Sequence, residues 1–307
     1  MPGRAVPARD YRTPPLRAYG SRRRFAIEEL TPETDHPTVD TVRVMIRTMT
    51  MNEFGRKAWR AVAVPLLLLA GMVLAKSINL ASFAISDRIM PYVSGFDADG
   101  AFLNISIHHV VQLAFAIALI AMAVALVPTL TWQRFGFTMY QARVALRNVG
   151  LFVIVWSVIQ FGVGYLIVAN GVPADPGFPL SARNIAGVLG FQLLLSGTSE
   201  EVLFRGLIMT MMMFGWTTVI RADATRRWSA IAGSTLVFMF DHVNFSLAPL
   251  AVTHLNVLQL GTVMLFGLFY GYLFSKTGSL FGPIVAHGVL NCIIVASGVV
   301  LSAVAAA

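Results

Sequence analysis

The segment Ser199–Arg205, with the sequence SEEVLFR, ends an apolar run that is long enough to cross a membrane. Its three formal charges are costly there, because a charged side chain at the centre of a bilayer costs at least about 2.5 to 3.5 kcal/mol. In an α-helix Glu201 and Arg205 lie on one face, whereas Glu200 lies about 100° around the helix. We therefore expect Arg205 to neutralise Glu201 and Glu200 to face another part of the protein.

The composition of the whole chain supports a membrane-spanning fold. Of its 307 residues, 56% are hydrophobic and 12% are charged, and the mean hydropathy is +0.71. An ordinary soluble protein contains about 25% charged residues. Apolar runs of about 20 residues can cross a bilayer as helices. We therefore predict an all-α, polytopic transmembrane helical bundle with about seven (six to eight) spans, at residues 61–86, 105–127, 148–169, 184–206, 228–245, 254–274 and 280–304.

The distribution of basic residues predicts the orientation of the bundle. Twelve of the 23 Lys and Arg residues precede Ala61. A basic segment beside a membrane anchor is an orientation signal in contact with the lipid bilayer, and no aromatic-interleaved basic patch indicates nucleic-acid binding. With that segment inside, the predicted outer segments contain only Arg88 and Arg183. We therefore predict a cytoplasmic N-terminus and an outside C-terminus.

The chain divides into three predicted regions. Residues 1–42 are polar and rich in Pro and Arg, which predicts a disordered basic cytoplasmic tail. Residues 43–60 mix apolar and basic side chains, which is typical of an amphipathic interfacial helix. Residues 61–307 form the transmembrane helical domain. Short loops and a compact length suit an integral protein of a bacterial plasma membrane, and the single cysteine, Cys292, has no partner for an intrachain disulfide.

Two further pairs of polar or aromatic residues occur in predicted spans. Phe238 and His242 lie four residues apart near the end of the fifth span, and His287 and Asn291 lie four apart in the seventh. Residues four apart share a helical face, so each pair can point into a common cavity. Taken singly, His242 can be a hydrogen-bonding group between helices and Asn291 can serve the same packing role.

Other histidines have simpler explanations. His108 and His109 lie at the outer boundary of the second span, where we expect both side chains to be solvated.

The predicted spans place the polar motif residues at different depths in the membrane. At 1.5 Å per residue the predicted spans place Glu200 and His287 roughly 9 to 12 Å from the inner surface, but His242 about 20 Å from it. These residues meet only if the fifth span begins before residue 228 or if a helix is tilted or broken.

The three motifs together are specific. The order E-E-x-x-x-R, F-x-x-x-H and H-x-x-x-N on successive hydrophobic segments resembles the CAAX protease and bacteriocin-processing family, also called CPBP or Abi, of intramembrane glutamate endopeptidases. The segment Thr277–His287 is similar to the usual approach to the last motif in that family. The resemblance covers about residues 130–300. It implies an endopeptidase similar to the type II CAAX prenyl endopeptidases, which cut prenylated proteins in eukaryotes.

The resemblance also implies a role for each catalytic residue. Glu200 would be the general base, and His242 would help to hold and activate a water molecule. His287 and Asn291 would donate hydrogen bonds to the developing oxyanion. The substrate would be a membrane-associated peptide or protein, reached from the cytoplasmic half of the membrane, and no cofactor is implied.

Three residues of the motifs would support the site. Glu201 and Arg205 would orient it, and Phe238 belongs to the second motif. A metal is an open alternative, because Glu200, His242 and His287 are ligand types that zinc accepts. However, the chain has no H-E-x-x-H motif, so we place the metal-free mechanism first.

Two functions without proteolysis compete with this interpretation. A non-catalytic membrane partner or immunity factor could use the same polar pocket for binding. A transporter could also contain charged residues on broken helices. The chain has no apparent internal repeat and its polar residues are confined to the C-terminal half, which argues against the transporter.

Overall fold

The fold was analysed in a computed structural model, which describes residues 53–173, 175–247 and 250–306. The described residues belong to one compact unit that extends from Asn52 to Ala307. The predicted tail, residues 1–42, and the start of the predicted interfacial helix lie outside the described residues. From Glu53 onward the chain is already helical, and this helix continues without a break through the first predicted span.

The described chain is almost entirely helical, which confirms the all-α fold. Its first three helices are α1 (Glu53–Val93), α2 (Leu103–Leu126) and α3 (Ala142–Ala169). A composite helix over residues 182–215 then follows. It consists of α4 (Ala182–Phe191), a π-helical segment (Gln192–Ser196), α5 (Gly197–Glu201), a second π-helical segment (Val202–Met209) and α6 (Thr210–Gly215).

Three helices and a β-hairpin complete the described fold. Helix α7 (Asp223–Asp241) leads into the antiparallel strands β1 (Asn244–Leu247) and β2 (Leu250–His254). Helices α8 (Val257–Thr277) and α9 (Phe281–Ala306) follow. Asn256 caps the start of α8, because its side chain accepts a hydrogen bond from the backbone amide of Gln259.

Five described helices are long and apolar enough to cross a membrane, namely Val62–Phe96, Leu103–Leu126, Ala142–Ala169, Val257–Thr277 and Phe281–Ala305. The fourth predicted span is also helical and the fifth is helical up to Asp241, but neither is among these five. The fourth span contains three charges and is divided by π-helical segments, and α7 begins with a polar turn. The total of about seven spans and the orientation of the termini therefore stay predictions.

The composite helix forms the centre of the buried core. Every residue from Val202 to Met209 is buried, and the composite helix packs against α2, α7, α8 and α9. A π-helical turn is wider than an α-helical turn and often occurs at functional sites. The two π-helical segments flank the short helix α5, which contains Glu200 and Glu201. The first motif therefore lies on the most irregular part of the core.

Glycines allow α9 to approach the composite helix closely. A Cβ atom on Gly197 would lie 2.9 Å from the carbonyl oxygen of Ile284, and one on Gly288 would lie 2.7 Å from that of Leu193. Helices in a membrane associate through such close contacts, because lipid provides no hydrophobic driving force. Gly288 directly follows His287, so this contact places the third motif beside the first.

Candidate active site

Glu201 and Arg205 form a buried ion pair, and His287 is hydrogen-bonded to its carboxylate. Arg205 Nη1 donates to Glu201 Oε1 at 2.9 Å, and His287 Nδ1 donates to the same oxygen at 2.8 Å. The side chains of Glu201 and Arg205 are 0% exposed. The i, i+4 spacing brings the two charges together within one helix, and the contact with α9 adds His287. The carboxylate thus fixes the ring orientation of a histidine from the third motif.

Arg205 also has partners on α7 and α8. Its Nη2 donates to the carbonyl oxygen of Gly267 at 3.1 Å. The guanidinium lies over the rings of Phe238 and Tyr270, at 4.7 and 5.3 Å from their centroids. A side chain at position 267 would have its Cβ 3.3 Å from Arg205 Nη2, so the glycine leaves room for the arginine. Arg205 therefore connects the first motif to the helices of the second motif and of Tyr270.

Glu200 faces away from this pair and into a cavity. Its Oε2 lies 3.5 Å from His287 Nε2, and its Oε1 lies 3.8 Å from His109 Nε2. No lysine or arginine forms an ion pair with Glu200 in the described part of the chain. The two neighbouring carboxylates therefore differ as their positions on the helix predict: one contacts a cation and the other contacts two imidazoles.

The expectation that His108 and His109 are solvated is wrong. His108 is 2% exposed and stacks on Phe83 with ring centroids 3.9 Å apart, and His109 is 5% exposed. The first turns of α2 are covered because α2 packs against the composite helix. The distance between His109 Nδ1 and Ser199 Oγ is 2.5 Å.

The hydrogen bonds of Ser199 favour one tautomer of His109. The serine hydroxyl donates to the carbonyl oxygen of Ser196 at 3.3 Å, so it can accept from His109. His109 Nδ1 then holds the proton, and the Nε2 lone pair faces Glu200. No motif included His109, because it lies 90 residues before Ser199 and its only sequence signal was a histidine pair at the start of a span.

His242 lies at the C-terminal end of α7 and lines the same cavity. The distance between its Nδ1 and the carbonyl oxygen of Phe238 is 2.9 Å. A carbonyl oxygen can only accept, so Nδ1 donates and the neutral ring keeps a lone pair on Nε2. Helix α7 begins at Asp223 rather than 228, which removes part of the depth difference expected between His242 and Glu200.

A buried lysine holds the end of α7 in place. Lys76 Nζ donates to the carbonyl oxygens of Asp241 and Val243 at 3.0 and 2.9 Å. Asn79 Nδ2 donates to Asp241 Oδ2 at 3.0 Å. Cations near a helix C-terminus satisfy its free carbonyl groups and its dipole. The charge that interrupts the first predicted span therefore stabilises the segment that contains His242.

Asn291 lines the cavity but is hydrogen-bonded within the protein. Its Nδ2 donates to Gln192 Oε1 at 2.9 Å and to Ser196 Oγ at 3.2 Å. Both acceptors belong to the first π-helical segment. The structure therefore places Asn291 one helical turn from His287 with both of its donor hydrogens engaged.

All four of the predicted catalytic residues line one cavity with a volume of about 570 Å³. They are Glu200, His242, His287 and Asn291, and Phe238 and His109 line it as well. Glu201 and Arg205 lie outside the lining; Glu201 contacts the lining residue His287, and Arg205 contacts the lining residues Phe238 and Tyr270. No group of three or more His, Cys, Asp or Glu residues in the described chain has an arrangement that could hold a metal ion, so the zinc alternative gains no support there.

The family comparison agrees with this geometry. Residues 182–293 match the family described as type II CAAX prenyl endopeptidase Rce1-like. The matched segment runs from the start of α4 into α9 and includes all three motifs, although it is shorter than the expected resemblance over residues 130–300. Over this segment, which is about a third of the chain, the match supports the resemblance to the CAAX protease family. No curated protein and no solved structure matches the chain.

Proposed function

We propose that this protein is an intramembrane endopeptidase that hydrolyses a peptide bond of a membrane-associated protein or peptide with a water molecule activated by Glu200 and His242. The observation that supports this proposal most is the position of Glu200. It is a carboxylate without a lysine or arginine partner in the described chain, and it shares a cavity with three histidines. A general base needs such access to water and substrate.

The proposed reaction begins with a water molecule between Glu200 and His242. Glu200 accepts one proton while the water oxygen attacks the carbonyl carbon of the substrate. The hydrogen bond to Phe238 leaves Nε2 of His242 free to accept the second hydrogen of the water. The new C–O bond produces a tetrahedral oxyanion. The C–N bond then breaks, and the leaving nitrogen takes the proton from Glu200, so no net proton is consumed.

His287 and Asn291 are the proposed donors to the oxyanion. The hydrogen bond with Glu201 fixes the ring of His287 and directs its Nε2 toward Glu200. A protonated His287 can therefore donate from Nε2 into the reacting site. Asn291 would exchange its bond with Ser196 Oγ, the longer of its two, for a bond to the oxyanion. One such donor typically contributes about 2.7 to 4 kcal/mol in other hydrolases.

The variant Glu200→Gln tests the proposal. It removes the base but keeps the size and hydrogen-bonding shape of the side chain. We expect cleavage to fall by about 10²- to 10⁴-fold, with the thermal unfolding midpoint of the purified protein unchanged. Because the substrate is unidentified, the measurement is a comparison of membrane-protein termini between cells with the wild-type chain and cells with Glu200→Gln.

Termini that occur only with the wild-type chain would identify products. Asp175→Asn, an exposed substitution far from the three motifs, is the control for expression and insertion. Identical termini in all three strains, with equal amounts of folded protein, would contradict hydrolysis. That result would favour the alternative of a non-catalytic membrane partner that uses the same pocket for binding.

A further inference from the structure

The active-site cavity is closed toward one end of the bundle and open toward the other. Tyr270 lies at the closed side and is 0% exposed, and Leu273, nearly one turn further along the same helix, is buried and does not line the cavity. On the same helix, Leu258 and Gln259 line the cavity near the start of α8, and Leu258 is 78% exposed. Tyr270 follows Gln259 by eleven positions, which corresponds to roughly 16 Å of helix. The cavity is therefore a shaft with its mouth beside Asn256–Gln259.

Hydrogen bonds identify the segments at the closed end. The amide of Leu280, between α8 and α9, donates to the carbonyl oxygen of Gly136, between α2 and α3. Thr210, in α6, donates to the carbonyl oxygen of Arg134. At the other end, Arg183 at the start of α4 donates to the carbonyl oxygen of Phe96, which follows α1. The loops between helices thus form two groups, one beyond the floor of the shaft and one on the side of its mouth.

The two ends differ strongly in charge. Among the residues whose side chains the structure describes, the closed end has one acidic residue, Asp223, and the seven basic residues Arg134, Arg143, Arg147, Arg221, Arg226, Arg227 and Lys276. The mouth end has Arg88 and Arg183, together with the acidic residues Asp87, Asp97, Asp99 and Asp175. Loops with an excess of Lys and Arg stay in the cytoplasm. The closed end is therefore the cytoplasmic end.

From the position of the mouth and this charge asymmetry, we infer that the substrate enters from the side of the membrane opposite the cytoplasm. This inference replaces the expectation of access from the cytoplasmic half, which did not take the position of the mouth into account. The cytoplasmic side of the site is closed by the packed core around Arg205 and Tyr270. A peptide bond of a secreted or externally exposed segment can reach Glu200 directly through the shaft.

The walls of the shaft indicate the chemistry of that segment. Five neutral amide side chains line it, those of Gln160, Gln192, Asn256, Gln259 and Asn291, of which Gln192 and Asn291 are hydrogen-bonded to each other, and no lysine or arginine is among its described lining residues. Side-chain amides can donate to and accept from the backbone of an extended peptide. The substrate class that fits is an uncharged, extended segment. This assignment of the substrate rests on the proposed hydrolysis, whereas the location of the mouth does not.

Labelling of single cysteines tests the location of the mouth. The variant Cys292→Ser removes the only cysteine of the chain. Gln259→Cys then places a thiol at the mouth, and Gln133→Cys places one in the exposed loop between α2 and α3 as the matched control. Intact cells with the protein in their plasma membrane are treated with a membrane-impermeant maleimide, before and after the membrane is opened.

We expect Gln259→Cys to be labelled in intact cells and Gln133→Cys to be labelled only after the membrane is opened. Labelling of Gln259→Cys only in opened membranes would overturn the inference, and so would no labelling of it under either condition. The result does not depend on proteolysis. A mouth on the outer face combined with unchanged termini for Glu200→Gln would refute the enzyme but leave the outward-facing pocket in place.

Discussion

Glu200 and Glu201 are neighbours in the chain, but they belong to two different regions of the molecule. Glu201 lies in a closed ion cluster with Arg205 and His287, in which the Glu201 and Arg205 side chains are fully buried. Glu200 lies in the open shaft between His109 and His287. Consecutive residues of one helix therefore have different roles: the Glu201 carboxylate stabilises the packed core, and the Glu200 carboxylate is accessible to a substrate in the cavity. His287 contacts both carboxylates and connects the two regions.

The largest expected effect is in the closed cluster, at Arg205. Arg205→Met keeps much of the side-chain volume but leaves Glu201 as a buried carboxylate with only His287 beside it. Breaking a buried pair by removal of one partner costs about 3 to 5 kcal/mol, because an uncompensated charge remains buried. We expect a large fall in the thermal unfolding midpoint in detergent, together with loss of activity.

The double variant Arg205→Met with Glu201→Gln checks the cause of that loss. It removes the remaining charge, so part of the lost stability should return. Stability equal to that of the wild type in the single variant would show that the pair contributes nothing to the fold. Glu201 would then not be a structural carboxylate.

The contrast between these regions also shows what the sequence could predict. The Glu201–Arg205 pair follows from i, i+4 spacing, which depends only on helix geometry. The distant partners could not be predicted in this way. His109 contacts Ser199 across 90 residues, and Lys76 contacts the Asp241 carbonyl across 165 residues. Such contacts depend on how helices pack against each other.

The irregular backbone was a second limit. The predicted span at residues 184–206 is helical, but π-helical segments occur at Gln192–Ser196 and Val202–Met209. Helix propensity and hydropathy do not distinguish a π-helical turn from an α-helical one. All four residues that the motifs nominate as catalytic line the cavity, but the motifs predict neither its other lining residues, such as His109, nor the end of the bundle toward which it opens.

A smaller effect is expected in the open region, at His109. This residue is a positioning residue in the proposal, because its ring lies beside Glu200 and is held by Ser199. His109→Gln should lower kcat on the order of tenfold, which corresponds to about 1.4 kcal/mol of activation free energy, with little change in KM. The measurement requires a cleavable peptide from the comparison of termini.

His108→Gln is the matched control for His109→Gln. His108 is equally buried but stacks on Phe83 and does not line the cavity. Its substitution should change the unfolding midpoint without lowering kcat of the folded fraction. Equal losses of kcat in both variants, in proportion to their losses of stability, would mean that His109 only packs α2 against the composite helix.

The smallest effect is expected outside both regions, at Asp97 before α2. Its carboxylate accepts hydrogen bonds from the backbone amides of Ala101, Phe102 and Leu103, at 2.9, 2.8 and 2.7 Å. These amides have no partner within the helix, so Asp97 caps its N-terminus. Burial alone would raise the pKa of Asp97, but these hydrogen bonds and the charge of Arg183 lower the pKa below its ordinary value.

Asp97→Asn should therefore destabilise the fold by about 1 kcal/mol at neutral pH and leave activity per folded molecule unchanged. A pKa that is lower in the folded state stabilises the protein above the unfolded-state value of about 3.9, and this contribution disappears as the pH falls through the folded-state pKa. The difference in unfolding midpoint between wild type and Asp97→Asn should shrink below about pH 4.

Asp175→Asn is the control. Its exposed carboxylate accepts only from the nearby amide of Gly177 among the described residues, so this variant should show a smaller difference in unfolding midpoint. A difference for Asp97→Asn that stays constant as the pH falls would mean that its charge does not stabilise the helix, because only the ionised carboxylate is lost on acidification.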